Sequence, residues 1–312
     1  MNCHCCSGNC RKAGSYKNRN RVVQRYACDR CGKSFSEAQP LDGLRVDFNK
    51  ACQVINLLCE SMGIRAVARI TGLDTKTILN ILETAGQKAA AFLDLNVRNV
   101  VAENVQADEL HTTVFSKQRN TPDDDFERGE QFTYLSVDRK SKLIINWLVG
   151  KRTKINTHDF CRDLESRLAN RVQLTTDGML MYATSTGAVA RAFGQNVDYA
   201  TEVKRFKPSS QFEPLRLESI HRQARIGSPD MDMATTCHAE RTNLSVRQFT
   251  KRFNRCTLGY SKKLENLKHA VALFIWHFNY CRKHSTHGQT PAQAANLTDH
   301  QWKIEDLLAE TN

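Results

Sequence analysis

Three acidic residues lie where a carboxylate could do chemistry. Asp108 falls in VQADELH, a predicted strand of otherwise apolar residues, where a carboxylate costs stability unless something compensates. Asp177 lies at the end of a predicted strand in VQLTTDG, immediately before a glycine. Ligands bind beyond the carboxyl ends of strands in open α/β sheets. Glu240 begins the basic segment ERTNLSVRQFTKRFNR. Carboxylates on two strands and one helix suit Mg²⁺ (or Mn²⁺), because hard cations prefer oxygen ligands.

Each of these residues also has an ordinary structural interpretation. An aspartate before a glycine is often a turn residue, and a glutamate in the first turn of a helix complements the helix dipole. Asp108 would then be a surface residue of a strand. The helix that begins at Glu240 is predicted to be amphipathic, with Leu244, Phe249 and Phe253 facing inward.

The cysteines indicate a second, different metal centre. Half of the 12 cysteines fall in the first 31 residues, where two Cys-x-x-Cys pairs flank a basic loop. The pairs comprise Cys3, Cys6, Cys28 and Cys31. This spacing is typical of a four-thiolate Zn²⁺ site, so we predict a zinc-binding knuckle over residues 1–38. Cys5, Cys10 and His4 are alternative ligands, and free thiols without a metal are the remaining alternative.

Helical periodicity replaces this pattern over residues 44–86. The stretch GIRAVARITGLDTKTILNIL fits a helix-turn-helix module, in which Gly72 makes the turn and Asp74 or Thr75 caps the second helix. That helix would present Thr75, Lys76, Thr77 and Asn80 to a major groove of DNA. A three-helix bundle that acts only as a spacer or a dimer contact is the alternative.

Residues 98–298 alternate between strand and helix patterns, which predicts an α/β domain with a mixed sheet. Residues 202–236 are predicted to be extended structure around this sheet. A later segment, LKHAVALFIWHFNYCRKH, is predicted to be an amphipathic helix that places Trp276 and Phe278 in the core. Residues 299–312 form a C-terminal tail in this interpretation.

The charge balance indicates an anionic partner. The chain has 45 Lys and Arg against 33 Asp and Glu, a formal net charge of +12, and nucleic acid is the commonest partner of such a protein. The first residues lack an apolar signal segment, and no apolar run reaches the roughly 20 residues that span a bilayer. We therefore expect a cytoplasmic protein without a membrane partner.

Four segments together resemble the transposases of the insertion-sequence-one family: ADELHTTVFSKQRN, LTTDGMLMY, HAERTNLSVRQFTKRFNRCTLGYSK and FNYCRKHSTHGQTPAQAANLTDHQW. The cysteine knuckle and GIRAVARITGLDTKTILNIL resemble the short N-terminal protein that such elements fuse to the catalytic part. The resemblance implies a ribonuclease-H-like catalytic domain over residues 98–298. It also implies an Asp-Asp-Glu triad of Asp108, Asp177 and Glu240, with Arg247 as a contact to terminal DNA.

The expected function is accordingly that of a DNA transposase in the bacterial nucleoid. The triad would bind Mg²⁺ (or Mn²⁺), and one site would both cut the strand at the end of the element and join it to target DNA. Double-stranded DNA and further copies of the chain, at least as a dimer, are the expected partners. A DNA-binding regulator with an inactive catalytic domain and a nuclease that cuts without joining are the alternative functions.

Overall fold

The structure is a computed structural model of the chain. It describes residues 3, 5–17, 22–37, 41, 44–207, 216–255 and 257–309. His4 and residues 38–40, which belong to the predicted knuckle or adjoin it, lie outside the described residues.

A small antiparallel sheet forms the N-terminal part of the described chain. Its strands are β1 (Cys10–Lys17), β2 (Val22–Cys28) and β3 (Ser34–Ser36), in the order β1-β2-β3. Almost every residue of β1 is exposed, whereas Val23 and Cys28 of β2 are buried. Because this small sheet buries little apolar surface, burial contributes little to its stability. This agrees with a knuckle that depends on a metal to fold.

Three helices follow: α1 (Phe48–Cys59), α2 (Ile64–Thr71) and α3 (Thr75–Asn96). Gly72 ends α2 in the left-handed conformation with φ of 67°, which a glycine adopts without strain. Asp74 caps α3, since its side chain accepts a hydrogen bond from the N–H of Lys76 at 2.8 Å. Both features agree with the predicted turn, but α3 continues through Gly86 to Asn96 and is longer than its periodicity indicated.

The main sheet has six strands among the described residues. They are β4 (Asn104–Val114), β5 (Gly129–Asp138), β6 (Ile144–Gly150), β7 (Val172–Thr176), β8 (Val197–Lys207) and β9 (Arg216–Ile226), in the order β6-β5-β4-β7-β8-β9. The first three strands along the chain pair antiparallel, β4, β7 and β8 run parallel, and β9 returns antiparallel.

Helices flank this sheet. They are α4 (Lys154–Arg167), α5 (Leu180–Ala183), α6 (Ala188–Phe193), α7 (Cys237–Phe249), α8 (Leu264–Trp276), α9 (Pro291–Ala294) and α10 (Ile304–Ala309). The mixed sheet with helices around it confirms the predicted α/β, ribonuclease-H-like fold class.

One hydrophobic core runs from α1–α3 through α8 to the main sheet. Phe92 of α3 contacts three aromatic rings, with its centroid 6.2 Å from Trp276, 4.9 Å from Tyr280 and 4.8 Å from Trp302. Trp276 and Phe278 are buried, as predicted. The predicted tail contributes the buried residues of α10, so it packs against the same core.

Two details differ from the expectations. Residues 202–236 contain a paired β-ribbon, because β8 extends past the sheet and pairs with β9. Leu244 is 48% exposed, so the prediction that it faces inward is wrong, whereas Phe253 is buried and Phe249 packs against the core.

Among the residues that the structure describes, no helix combines the length and apolar composition that crossing a bilayer requires.

Helices α3 and α8 approach each other closely at Gly86. A Cβ atom added there would lie 2.4 Å from Cβ and 2.6 Å from Cα of His269, so Gly86→Ala should push the helices apart. We expect a loss of about 1–3 kcal/mol in the free energy of unfolding, despite the better helix propensity of alanine. Urea denaturation measures it, with Gln87→Ala on the exposed side of α3 as the control. Equal stability of the two variants would contradict the close packing.

Candidate metal centres and nucleic-acid site

The four predicted zinc ligands lie together. Their sulfur atoms are all within 4.8 Å of one another, and the structure places Cys3 Sγ 3.6 Å from Cys31 Sγ and Cys6 Sγ 3.5 Å from Cys28 Sγ. Tetrahedral zinc with Zn–S distances of 2.3 Å would separate neighbouring sulfurs by about 3.8 Å. The donor set therefore fits Zn²⁺ in both chemistry and size.

Backbone amides around these sulfurs favour the thiolate form that binds metal. The N–H of Cys31 donates to Cys28 Sγ at 3.5 Å, and the N–H of Cys5 donates to Cys3 Sγ at 3.4 Å. The first of these bonds is the main cause that lowers the pKa of Cys28 to about 6, and the second lowers the pKa of Cys3. The lowered pKa values reduce the cost of deprotonating these two cysteines when a metal binds.

Neither of the described alternative cysteines belongs to this group. Cys5 Sγ accepts a hydrogen bond from Lys33 Nζ at 3.3 Å, and Cys10 Sγ contacts the carbonyl of Gly8 at 3.6 Å. Among the described cysteines of the crowded first half, Cys3 and Cys6 belong to the sulfur group, whereas His4 lies outside the described residues.

Zinc content tests this assignment. We expect one zinc per chain in the purified protein, loss of that zinc in Cys28→Ser, and its retention in Cys5→Ser, because only the first change removes a member of the sulfur group. Elemental analysis by mass spectrometry measures the ratio. Zinc retained in Cys28→Ser, or lost in Cys5→Ser, would overturn the ligand set.

A second group consists of Asp108, Glu109 and Asp177, each of which offers a carboxylate oxygen within 4.8 Å of the others. The sheet explains why they meet. The parallel pairing of β4 with β7 ends at Gln106 and Thr175, so Asp108 and Asp177 lie just beyond the end of that shared ladder. Their oxygens suit a divalent cation that prefers carboxylate ligands.

Helix α7 is held against β4 beside this group. Gln106 Oε1 accepts hydrogen bonds from the backbone N–H groups of His238 at 2.7 Å and Ala239 at 3.2 Å, donors that the first turn of a helix cannot satisfy internally. One turn further along, Asn243 Nδ2 donates to Asp108 Oδ2 at 2.8 Å. These contacts fix both the position and the rotation of α7 relative to β4.

Glu240 lies on α7 beside the carboxylates but outside the group of three. Its Oε1 accepts a hydrogen bond from the Thr236 hydroxyl at 2.7 Å and pairs with Lys204 Nζ, and its side chain is 46% exposed. Its negative charge still contributes to the raised pKa of Asp108. Because Glu240 and Asn243 are three residues apart, they share the face of α7 that looks toward Asp108.

Glu109 is the member that sequence reasoning missed. Its side chain is 2% exposed, and Oε2 accepts a hydrogen bond from Arg152 Nη2 at 2.9 Å; the same nitrogen lies 3.6 Å from Asp177 Oδ2. The buried Tyr182 hydroxyl lies beside Glu109, and its interaction with the carboxylate lowers the pKa of Glu109. The sequence signal for Glu109 was the second acidic residue in ADEL, since each of two adjacent carboxylates in an apolar strand needs its own hydrogen bonds or cation to offset the cost of burial.

Burial governs the protonation of this group. Burial, with smaller contributions from the charges of Asp177 and Glu240, raises the pKa of Asp108 to about 6, and hydrogen bonds from the backbone and Asn243 oppose the shift. Burial also raises the pKa of Glu109 to about 7, against the opposing effects of Tyr182 and Arg152. A cation bound among these oxygens would favour their ionised forms, since opposite charge lowers the pKa of a carboxyl group.

The predicted DNA-contacting residues occupy two separate places. Arg247 is partly buried on α7, about 10 Å along the helix from Glu240, and burial lowers its pKa. Thr75, Lys76, Thr77 and Asn80 lie in the first part of α3, where all but Thr77 are exposed. The structure thus leaves this face of α3 open to a partner.

Comparisons with known proteins give structural neighbours only. No protein-family model matches the sequence, and no curated protein matches it. The neighbours are transposase and integrase complexes. A chain of a simian T-cell lymphotropic virus intasome in complex with PP2A regulatory subunit B56 gamma is 13% identical with a TM-score of 0.37, covering 78% of this chain and 72% of that one.

Two further neighbours come from transposase structures. A synaptic complex of the piggyBac transposase with hairpin DNA is 10% identical with a TM-score of 0.41, covering 84% of this chain and 69% of that one. The Mos1 strand transfer complex is 11% identical with a TM-score of 0.21, covering 50% of this chain and 59% of that one. At these TM-scores the likeness carries no argument about activity, which must rest on the site itself.

Arg152 stabilises the acidic group, and its removal should be costly. Arg152→Gln leaves the buried Glu109 carboxylate without its cation, so we expect a loss of about 3 kcal/mol or more in the free energy of unfolding. The double variant Arg152→Gln/Glu109→Gln should recover most of that loss, because no buried charge is left unpaired. Urea denaturation of the wild type, Arg152→Gln, Glu109→Gln and the double variant measures the coupling between the two residues.

The loss should depend on pH in a defined direction. Glu109 already has a pKa raised to about 7, and removing Arg152 raises it further, so folded Arg152→Gln binds a proton that the unfolded chain does not. Stability of that variant relative to the wild type therefore rises as the pH falls, and the loss is larger near pH ~8 than near pH ~5.5. A loss independent of pH and unchanged in the double variant would exclude this role for Arg152.

Proposed function

We propose that the protein is a DNA transposase of the insertion-sequence-one type, which binds the ends of a mobile element and catalyses strand cleavage and strand transfer. The observation that carries the proposal is the meeting of Asp108 and Asp177 at the end of their shared sheet ladder, with the helix of Glu240 attached to the same strand. The resemblance of the surrounding sequence segments supports it independently.

Asp108, Asp177 and Glu240 are the proposed ligands of Mg²⁺ (or Mn²⁺). When bound, such ions stabilise negative charge on the attacking and leaving oxygens of a phosphodiester. Asn243 orients Asp108 by donating to Oδ2, and the N–H of Met179 orients Asp177 by donating to Oδ1 at 3.1 Å. Neither bond uses Asp108 Oδ1 or Asp177 Oδ2, although Asp177 Oδ2 also lies 3.6 Å from Arg152 Nη2.

Glu240 must change partners to join Asp108 and Asp177. In the structure it pairs with Lys204, and rotation about its side-chain bonds would bring it toward the face that Asn243 presents to Asp108. Glu109, which already lies with the two aspartates, is the alternative third ligand. Its pairing with Arg152 and its burial make it better suited to holding Arg152 beside Asp177.

The remaining parts of the proposal concern DNA. The exposed start of α3 would read the terminal sequence in a major groove, and Arg247 would contact the terminal strand near the carboxylates. The zinc knuckle, held by its four cysteines, would add phosphate contacts through basic residues such as Arg11 and Lys12 on the exposed β1. Work on two ends implies at least a dimer, acting on double-stranded DNA in the bacterial nucleoid.

A strand-joining assay tests the catalytic assignment. The protein is incubated with Mg²⁺, a labelled duplex that carries the ends of the element flanking its gene, and a plasmid target. We expect joined product from the wild type and a loss of at least about a hundredfold in Asp177→Asn and Glu240→Gln, because each removes a ligand charge. Binding of the end duplex should remain, since phosphate contacts supply most of the affinity.

The control and the alternatives are distinguishable in the same assay. Glu305→Gln changes an exposed glutamate of α10 by the same chemistry and should join strands normally. Undiminished joining by Asp177→Asn would exclude the assignment. Loss in Glu109→Gln but not in Glu240→Gln, with both variants folded, would make Glu109 the third ligand. Binding without nicking or joining would indicate a regulator, and nicking without joining would indicate a nuclease.

A further inference from the structure

The outer half of β8 leaves the main sheet as part of a two-stranded ribbon. Pairing with β7 ends at Thr201, but β8 continues to Lys207, and these residues pair only with β9. Residues 202–207 span about 20 Å at the rise of a β-strand. We refer to residues 202–207 and 216–222 as the ribbon.

The root of the ribbon is attached to the candidate catalytic site on both sides. Glu202 is buried and accepts hydrogen bonds from the N–H and hydroxyl of Thr236, both at 3.1 Å, immediately before α7. On the other side, a Cβ atom at Gly178 would lie 2.4 Å from Val203 Cγ2, so the residue after Asp177 packs directly on the ribbon. The direction of the ribbon is therefore fixed relative to the carboxylates.

The ribbon and the rest of β9 carry an excess of positive charge. Their basic residues are Lys204, Arg205, Lys207, Arg216, Arg222 and Arg225, and their acidic residues are Glu202 and Glu218. Lys204 and Arg222 pair with Glu202 at 3.3 Å and 3.1 Å. Arg205 has no carboxylate partner among the described residues, and Lys207 is 3.7 Å from Glu218 in an exposed pair of little strength.

Apolar side chains on the ribbon are also exposed. Phe206 and Leu217 face each other across the two strands and are 53% and 51% exposed. An exposed edge strand with apolar residues is a binding surface unless charge protects it. Here the charge has one dominant sign, so it favours a polyanion and opposes pairing with the same ribbon of a second copy.

We propose that the ribbon is a DNA-binding arm that enters the major groove of duplex DNA and holds it against the carboxylate site. A two-stranded β-ribbon has the width that the major groove of B-DNA admits. Arg205 and Lys207 supply contacts to the phosphates that border the groove, and Phe206 and Leu217 give the arm an exposed apolar pair. This inference rests on the proposed function for the role of the carboxylates, but not for the binding itself.

Salt-dependent binding tests the arm without requiring catalysis. The full-length protein is titrated into a fluorescent 40-base-pair duplex of mixed sequence in EDTA-free buffer without Mg²⁺, at several salt concentrations. Arg205→Gln/Lys207→Gln removes two phosphate contacts, so the slope of log K against log salt should become shallower by about 2, with an affinity loss of ten- to a hundredfold at low salt. Charge reversal in Arg205→Glu/Lys207→Glu should deepen the loss.

The matched control is Arg162→Gln/Lys268→Gln, which removes the same charge from helix surfaces of α4 and α8 that belong to neither candidate site. It should bind DNA with a slope close to that of the wild type. If the slope of log K against log salt is the same in the Arg205 and Lys207 variants as in the wild type, the proposal is overturned. Unchanged DNA binding together with an altered mass of the protein in sedimentation would also overturn it and would make the ribbon an interface between copies.

The outcome is independent of strand joining. If the wild type binds DNA through the ribbon but joins no strands, the arm stands and the proposed function fails. If joining depends on Asp177 and Glu240 while the ribbon variants bind DNA with the slope of the wild type, the function stands and the arm fails.

Discussion

The side chain of Gln106 holds the start of α7 on β4, and the geometry of the carboxylate site depends on that contact. One amide oxygen accepts hydrogen bonds from two backbone N–H groups, those of His238 and Ala239. Asp108 lies two residues further along β4, on the same face of the strand as Gln106. A helix that begins against Gln106 must therefore pass beside Asp108, which is where Asn243 meets it.

Charge compensation is the second condition for this site. Five carboxylates lie at or beside the end of the ladder, and basic side chains from elsewhere in the chain pair with four of them. Arg152 serves Glu109 and Asp177, and Lys204 serves Glu202 and Glu240. The same two cations also limit how the carboxylates can rearrange, because each oxygen that changes partner leaves a positive charge to be accommodated.

Much of the fold could be predicted from local patterns, because those patterns reflect local physics. The turn at Gly72, the cap at Asp74 and each of the two Cys-x-x-Cys motifs depend on a few neighbouring residues. Leu244 failed because helix periodicity shows that an apolar face exists but not which residues the sheet covers.

The candidate site was only partly predictable for the same reason. Asp108 is recognisable as an acidic residue in an apolar strand and Asp177 from where its strand ends. The role of Glu109 depends on Arg152, which reaches it from beyond the end of β6. The predicted helical module ended at residue 86, but α3 continues to Asn96, and the missing side chain of Gly86 permits the close contact with His269.

That long helix has a geometric consequence. The 22 residues of α3 span about 33 Å from the exposed Asp74 cap to a core shared with the main sheet, and Gly86 and Phe92 fasten it there. This length is close to one turn of B-DNA, about 34 Å. If the start of α3 binds terminal DNA, the helix is a rigid spacer that sets the distance between the recognised bases and the cleaved bond. An inserted half-turn of DNA between them would then place that bond on the side of the duplex that faces away from the carboxylates.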